Sequence, residues 1–229
     1  MKNLLALFFF SFMLLANESY GQSSEKAVSQ EKDYATIANE RAKKIVTTLA
    51  IQDAAKAQRV QALIAGHYQN LNTIHSTRDS QLKLVKSAIE EKEKLNASIK
   101  GIEDAAGVEV KGVHQSFISS LSKELTEEQI VKVKDGLTYN VVNITYAGYL
   151  DMLPNLTTEQ KTQIRTWLEE AREYAMDAES SDKKHAWFGK YKGRINNYLS
   201  AAGYDLKKEG DAWQQRIKER EEKKKASNN

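Results

Sequence analysis

The chain consists of runs in which apolar residues recur every three or four positions, separated by short polar interruptions. This spacing places apolar side chains on one face of an α-helix. In the first half this spacing predicts four helices. The first carries Ile37, Ala38, Ala42, Ile45, Val46 and Leu49, and the second, capped by Asp53, carries Val60, Ile64, Leu71 and Ile74. The third begins near Ser80 and carries Leu82, Val85, Ile89, Leu95 and Ile99, and the fourth carries Val113, Phe117 and Leu121.

An internal repeat marks the second half. Leu125-Thr-Glu-Glu-Gln129 recurs as Leu156-Thr-Thr-Glu-Gln160. In each copy the threonine can be a helix N-cap, and the glutamine three residues later can bond back to it, which makes a capping box. The repeat therefore predicts four structural caps: Thr126, Gln129, Thr157 and Gln160.

The remaining helices follow from the same spacing. Because the residue before a proline avoids helical angles, the tyrosine-rich stretch ahead of Pro154 predicts a short helix ending at Leu153. Gly203 is a natural helix stop. The later stripes are Ile164, Leu168, Ala171 and Ala175; Phe188, Tyr191, Ile195, Leu199 and Ala202; and Trp213 with Ile217.

Composition supports an all-α protein. The chain has one proline in 229 residues, and Ala, Lys and Glu are good helix formers. We predict a multi-helix bundle of about six or seven helices over residues 31–217. The glycines between Gly101 and Gly112 predict a joint that would divide it into two subdomains. Residues 218–229 are predicted to be a charged, disordered tail.

The amino-terminal residues predict export. Lys2 precedes the apolar run Leu4–Ala16, and Ser19-Tyr20-Gly21 offers small residues for cleavage, which predicts a signal peptide over residues 1–21. Residues 22–30 are expected to be disordered. The apolar run is short for a membrane span, and a chain without cysteine cannot be lipidated on one. We therefore expect a periplasmic or secreted protein that is not a lipoprotein.

Charge and residue types exclude several functions. The net charge of +3 arises from interspersed lysines and acids, which is not the footprint of a nucleic-acid-binding protein. Cysteine nucleophiles and thiolate metal sites are impossible. His67, His75, His114 and His185 lack a metal-binding spacing, so we predict neither metal nor cofactor. No later segment predicts a membrane span, and the sequence leaves the oligomeric state open.

Residues 183–198 carry the richest candidate chemistry. On a helical wheel Trp187 flanks the buried face near Arg194 and Tyr198, with Lys190 and Asn197 farther round. An aromatic ring beside cations and an amide can bind a sugar and its carboxylate or hydroxyl groups, and Arg78 supplies a further cation. Ordinary helix packing of Trp187 is the alternative explanation.

Catalysis has weaker candidates. Elimination from a uronate needs a base and a cation that neutralises the carboxylate. His185 and Tyr191 supply a base beside Arg194, and His75 lies close to Arg78. No recognisable catalytic motif accompanies them.

Two resemblances bear on function. The Leu-Thr-x-x-Gln boxes resemble the signature of small periplasmic chaperones of the spheroplast-protein and Cpx-pathway type, which implies the holding of unfolding clients. Three other segments are similar to an uncharacterised family of secreted helical proteins from Gram-negative gut-type bacteria, whose members often accompany systems that degrade plant polysaccharides. Those segments are Asp53-Ala-Ala-Lys-Ala, Leu71–His75 with Arg78-Asp79, and Lys183–Tyr198.

Three functions follow as hypotheses. The leading one is an exported accessory or binding protein in a glycan-utilisation context, whose partner is an oligosaccharide or another envelope protein. The second is a chaperone-like or envelope-stress protein. The third is a uronate-directed carbohydrate-active enzyme.

Overall fold

The computed structural model describes residues 33–227, and within them every regular element is an α-helix. The predicted all-α class is thus confirmed for this part of the chain, although it holds eight helices instead of six or seven. They are α1 (33–47), α2 (Ala54–Ala88), α3 (Lys92–Ser122), α4 (Glu127–Leu137), α5 (Val141–Met152), α6 (Thr158–Ala175), α7 (Ser181–Ala201) and α8 (Leu206–Ser227). The predicted signal peptide and residues 22–30 lie outside the described residues.

Helices α2 and α3 form a long antiparallel hairpin that the sequence divides differently. The predicted helix start near Ser80 lies inside α2, and Gly101–Gly112 lies inside α3. Helix α2 passes Ser80 because the half-buried Leu82 and Val85 continue the apolar stripe of its first part. The hydroxyls of Ser76 and Ser80 bond to carbonyls within α2, those of Thr73 and Ser76, and so do not cap a new helix. Helix α3 continues because one apolar stripe runs through the glycines: Leu95, Ile99, Ile102, Ala106, Val110, Val113, Phe117 and Leu121.

The buried apolar residues form two clusters, which we call the first and second cores. The first core packs α1, α2, α4 and the carboxyl-terminal part of α3, and its fully buried side chains include Val60, Ile64, Leu121, Val133 and Leu137. The second core packs α5, α6 and α7, around Leu153, Ile164, Leu168, Phe188, Ile195 and Leu199. Along the chain, the division between the two cores falls between α4 and α5, not at Gly101–Gly112.

Both copies of the internal repeat are complete capping boxes. Thr126 accepts from the Gln129 backbone N–H, and Gln129 accepts from that of Thr126; Thr157 and Gln160 do the same. Each glutamine also reaches another element: Gln129 donates to the Leu49 carbonyl at 3.3 Å, and Gln160 accepts from the Tyr204 hydroxyl at 3.0 Å. The boxes therefore start α4 and α6 and fasten them to neighbouring segments.

The carboxyl-terminal residues are helical where the sequence predicts a disordered tail. Residues 218–227 belong to α8, which lies against the end of α5. Asp151 accepts from the Trp213 indole at 2.7 Å and from Arg220 at 2.6 Å. Arg216 donates to the Asp151 and Met152 carbonyls, both at 3.0 Å. These contacts attach the Lys- and Glu-rich helix α8 to the end of α5.

Other predicted helix ends are confirmed. Asp53 accepts from the backbone N–H groups of Ala55 and Lys56 as the N-cap of α2. Leu153 is the C-cap of α5. Gly203 follows α7 with a φ of 93°, and the Tyr204 N–H bonds to the Leu199 carbonyl at 3.1 Å, as in a Schellman motif.

A candidate ligand-binding cleft

A cleft of about 780 Å³ opens between the α2–α3 hairpin and helices α6 and α7. Its volume falls within the range of ordinary ligand pockets. The side chains that line it include aromatic, acidic and basic groups, and they come from four helices and the α6–α7 loop. The aromatic, acidic and basic lining residues are His75, Arg78, Glu103, Lys111, His114, Glu173, Tyr174, Asp177, Glu179 and Trp187.

Asp177 is the buried anchor of the cleft. It lies just beyond the C-cap of α6, Met176, whose side chain is fully buried in the first core. The ammonium of Lys184 holds this turn by donating to the carbonyls of Ala175 at 3.1 Å and Met176 at 2.9 Å. The Asp177 carboxylate is thereby presented to the α2–α3 hairpin.

Three histidines of the hairpin meet Asp177. His114 Nδ1 lies 2.7 Å from Asp177 Oδ2, and His75 Nε2 lies 2.9 Å from the Asp177 carbonyl oxygen. His67 Nε2 lies 3.1 Å from Asp177 Oδ1, but its N–H is not aligned for a hydrogen bond, and both ring nitrogens of His67 lack one. The His67 ring is instead fixed by parallel stacking on Phe117 at 4.0 Å.

These contacts oppose the effect of burial on two pKa values. Burial by itself raises the pKa of the Asp177 carboxyl, but the hydrogen bond from His114 and the approach of His67 outweigh it and lower that pKa. The hydrogen bond to Asp177 raises the pKa of His114, against the opposing effect of burial. Both shifts favour an ion pair between a protonated His114 and an ionised Asp177.

Arg78 and His75 form a fixed pair at the edge of the cleft. The Arg78 guanidinium donates to His75 Nδ1 at 3.2 Å, to Asp79 at 2.7 Å and to Glu179 at 3.4 Å. Because arginine has no acceptor, His75 Nδ1 must accept, and Nε2 then carries the hydrogen donated to the Asp177 carbonyl. Both nitrogens of His75 are engaged, so His75 has no free nitrogen to act as a base.

An aromatic pair forms another part of the cleft. The Trp187 and Tyr174 rings stack 4.6 Å apart with an angle of 17° between their planes. The Lys190 ammonium lies 5.1 Å from the centre of the Trp187 ring. Tyr174 remains 49% exposed, which is a large accessible aromatic surface beside polar groups.

The charges that line the cleft are mixed. Four of the lining side chains are acidic, namely Glu103, Glu173, Asp177 and Glu179, whereas Arg78 and Lys111 are the permanently cationic ones. Carboxylates and a guanidinium can hydrogen-bond pairs of hydroxyl groups, and an exposed aromatic ring can pack against an apolar face. This arrangement suits a neutral, hydroxyl-rich ligand better than an anion.

The structure separates the residues that the sequence groups around Trp187. Trp187, Arg78 and His75 line the cleft, but Arg194, Asn197, Tyr198 and Lys190 are absent from its lining. Arg194 lies 4.5 Å above the Trp167 ring and 3.6 Å from Glu170, and Trp167 meets Tyr198 edge-on. These contacts form a separate surface on α6 and α7.

The other catalytic candidates also lie outside the cleft lining. His185 is exposed and bonds to the Ser181 carbonyl of its own helix at 2.8 Å. Tyr191 is buried in the second core. Neither residue is positioned with Arg78, so the predicted group of base and cation does not assemble around α7.

Sequence reasoning missed Asp177, Tyr174 and the role of His114. One signal was available: His67 and His75 are two helical turns apart and therefore share a face of α2. Nothing in the sequence shows that His114 of α3 and Asp177 of the α6–α7 loop meet that face, because the pairing depends on how the two cores pack.

The described residues provide neither a metal site nor a membrane span. Among residues 33–227, no three or more His, Asp and Glu side chains are arranged to hold a metal ion. In the same part of the chain no helix is long and apolar enough to cross a membrane.

Comparison with known proteins gives a family match and no functional relative. The family model described as a protein of unknown function (DUF3826) matches residues 35–219. No curated protein matches the chain.

Proposed function

We propose that this chain, which belongs to the DUF3826 family of proteins of unknown function, is a binding protein for a neutral oligosaccharide. The observation that carries this proposal is the meeting of Trp187 and Tyr174 with polar side chains in one cleft. A pyranose ring has apolar C–H faces and hydroxyl edges, so it matches an aromatic surface bordered by carboxylates.

The charge of the cleft supports a neutral ligand. Arg78 is already bonded to Asp79 and Glu179, and His114 to Asp177. A ligand carboxylate would have to compete with those partners and would also meet Glu103 and Glu173. Hydroxyl groups can donate to the same carboxylates without adding negative charge.

A binding experiment with two tryptophan variants tests the site. We expect neutral oligosaccharides, such as cello-, xylo- and manno-oligosaccharides, to bind the purified protein in isothermal titration calorimetry, and Trp187→Ala to lose at least about tenfold in affinity, the equivalent of 1.4 kcal/mol. Trp167→Ala is the matched control, since Trp167 is outside the cleft lining. Loss of binding in Trp167→Ala alone would move the site to the surface around Arg194.

The uronate-directed enzyme remains a second candidate, because His75, Arg78 and Tyr174 line the same cleft. Its prediction is different: incubation with oligogalacturonides should produce unsaturated uronate ends, seen as ultraviolet absorbance. The engaged nitrogens of His75 and the excess of acids count against it.

The chaperone hypothesis has less support. The large apolar side chains that are most exposed lie on different helices: Leu84 on α2, Val108 on α3 and Ile144 on α5. Isolated exposed apolar residues are normal for a monomer, whereas client binding calls for a continuous apolar surface.

Export is part of the proposal. It rests on the apolar run Leu4–Ala16 and the small residues before Gln22. A binding protein for external oligosaccharides would act outside the cytoplasm. Recovery from the periplasm or the medium of a chain whose first residue is Gln22 would support this location, and an uncleaved cytoplasmic chain would contradict it.

A further inference from the structure

The walls of the cleft are tied together mainly through Asp177. His114 and His67 approach its carboxylate, and His75 bonds to its carbonyl. Arg78 adds a longer contact to Glu179, at 3.4 Å. All four residues of the hairpin therefore reach the short loop between α6 and α7, whose position decides how far α6 and α7 lie from α2 and α3.

We propose that protonation of His114 closes the cleft: the charged ring ties α3 to the α6–α7 loop through Asp177, and loss of the proton loosens the two walls. This regulation concerns the cleft to which the proposed function assigns the ligand, but its physical basis does not require a ligand.

Loss of the His114 proton changes two contacts of the ring. A neutral ring still donates from Nδ1 to the Asp177 carboxylate at 2.7 Å, but it no longer adds the Coulombic attraction of a positive charge at that distance. The protonated ring also directs its second N–H, on Nε2, toward Glu173 Oε2, which is 3.9 Å away. Deprotonation thus weakens one contact and removes the attraction of a second.

The burial of Asp177 amplifies this change. Asp177 is 9% exposed, and an ionised carboxylate that loses its charged partner inside a protein is strongly disfavoured. The loop can relieve that cost by moving toward solvent. Such a movement would separate Asp177 from His114 and widen the cleft.

The other charged groups around the pair do not replace His114. Lys184 approaches from α7, but its ammonium is held by two carbonyls, and burial lowers its pKa to about 8. Lys134 of α4 bonds to Glu173 at 2.6 Å. The titratable and charged side chains that face Asp177 and His114 are His67, His75 and Arg78 from α2, Lys134 from α4, Glu173 from α6, Glu179 from the loop and Lys184 from α7.

The pH window follows from the two pKa directions. The pKa of His114 is raised above 6.5, so the ion pair is fully formed below that value and is lost as the pH rises through the raised pKa. The pKa of Asp177 is lowered below 3.8, so the pair is lost at the acid end only as the pH falls through that lowered value. The cleft is accordingly closed in mildly acidic solution and looser in alkaline solution.

Spin labels on the ligand-free protein provide the test. The chain has no cysteine, so Val108→Cys on α3 and Lys192→Cys on α7 can be labelled without removing native thiols. Both positions are exposed and neither lines the cleft. Pulsed dipolar spectroscopy should give a narrow distance distribution at about pH 5.5 and a broader, longer one at about pH 8.

Two histidine variants separate the proposal from a general effect of pH. His114→Gln should give the broad distribution at both pH values. His185→Gln should keep the response, because His185 is exposed, hydrogen-bonds within α7 and stacks on Tyr139, away from the cleft lining. A pH-independent distribution in the unsubstituted protein, or an unchanged response in His114→Gln, overturns the proposal.

Nuclear magnetic resonance provides a second measurement that needs no His114 variant. The His114 ring should titrate with a midpoint above 6.5, and the backbone amides of residues 176–180 should shift with the same midpoint. Unrelated midpoints would contradict the coupling. Since neither experiment uses a ligand, a closing movement without oligosaccharide binding would refute the proposed function alone, and binding without movement would refute this inference alone.

Discussion

At the scale of single residues, the packing of the helices depends on a few individual positions, among them Asp177, Met176 and Gly136. Asp177 is the shared partner of three histidines, and Met176 beside it extends the second half of the chain into the first core. Gly136 is a different case, because what matters there is the absence of a side chain. A Cβ atom on Gly136 would lie 2.9 Å from Cγ1 of Ile45, so α4 can approach α1 closely only with glycine at this position.

We predict that Gly136→Ala destabilises the protein. Alanine in a helix gains about 1 kcal/mol over glycine, but overpacking against the branched Ile45 costs about 1–3 kcal/mol. The net loss in urea unfolding should be about 1 kcal/mol. Gly189→Ala is the control: a Cβ there meets nothing within 4 Å, so this variant should gain about 0.5–1 kcal/mol. Equal gains in both variants would show that α1 and α4 are not tightly packed.

Gly189 and Gly193 of α7 are the opposite case. The spacing of Gly189 and Gly193 suggests a close approach of two helices, but an added Cβ would meet nothing at either glycine. Both lie on the exposed side of α7. The pattern of two glycines four residues apart indicates where a helix could be approached, and only the packing decides whether another helix is there.

At the scale of the elements, helix α8 is attached by a small set of polar contacts. None of its described side chains is fully buried, and its docking depends on Asp151. Hydrogen bonds from Arg220 and then Trp213 lower the pKa of Asp151 to about 2. The attachment should therefore persist in acid until the pH falls through that value.

We predict that Asp151→Asn loosens α8. The amide loses the charge that attracts Arg220 and cannot accept the same set of hydrogen bonds. Hydrogen exchange followed by mass spectrometry should show faster exchange across residues 206–227 and little change in α6 and α7. Asp211→Asn, an exposed substitution on α8 itself, should leave the exchange of the helix unaltered. Unchanged exchange in Asp151→Asn would mean that the Arg216 bonds to the Asp151 and Met152 carbonyls, together with the packing of Trp213, suffice to hold α8.

At the scale of the whole molecule, buried ion pairs connect the two cores. Arg172 of α6 donates to Asp135 of α4 at 2.7 Å, and both side chains are nearly inaccessible to solvent. Asn143 of α5 also donates to Asp135, at 3.0 Å. Lys134 and Glu173 form a second link between α4 and α6. These contacts set the relative position of the cores and hence the shape of the cleft.

We predict that Arg172→Leu costs about 3–5 kcal/mol of stability in urea unfolding, because Asp135 is left as an unpaired buried charge. The double variant Arg172→Leu/Asp135→Leu should recover a large part of this loss. Arg194→Leu breaks an exposed ion pair with Glu170 and should cost less than about 1 kcal/mol. A small loss in Arg172→Leu would show that Asp135 reaches solvent when its partner is removed.

The local features of this protein follow from its sequence. The stripes of apolar residues predict the helices, and the Thr126 and Thr157 boxes, the Asp53 cap and the Gly203 stop all appear in the structure. Each depends on residues within about one or two helical turns, where side-chain and backbone preferences act directly. The same local reasoning misplaces the breaks at Ser80 and Gly101–Gly112, since the apolar stripes of α2 and α3 continue through them.

The cleft depends on the tertiary structure. Trp187 and Arg78 are recognisable as candidates, yet Arg194 and Tyr198, which lie far closer to Trp187 along the chain than Arg78 does, face a different surface. His114 and Asp177 are 63 residues apart and meet only because the two cores pack against each other. The sequence by itself thus determines the helical class and the helix ends that have a local cap or stop, whereas the packing of helices distant in the chain decides which side chains form a site, because those contacts leave no periodic signal in the sequence.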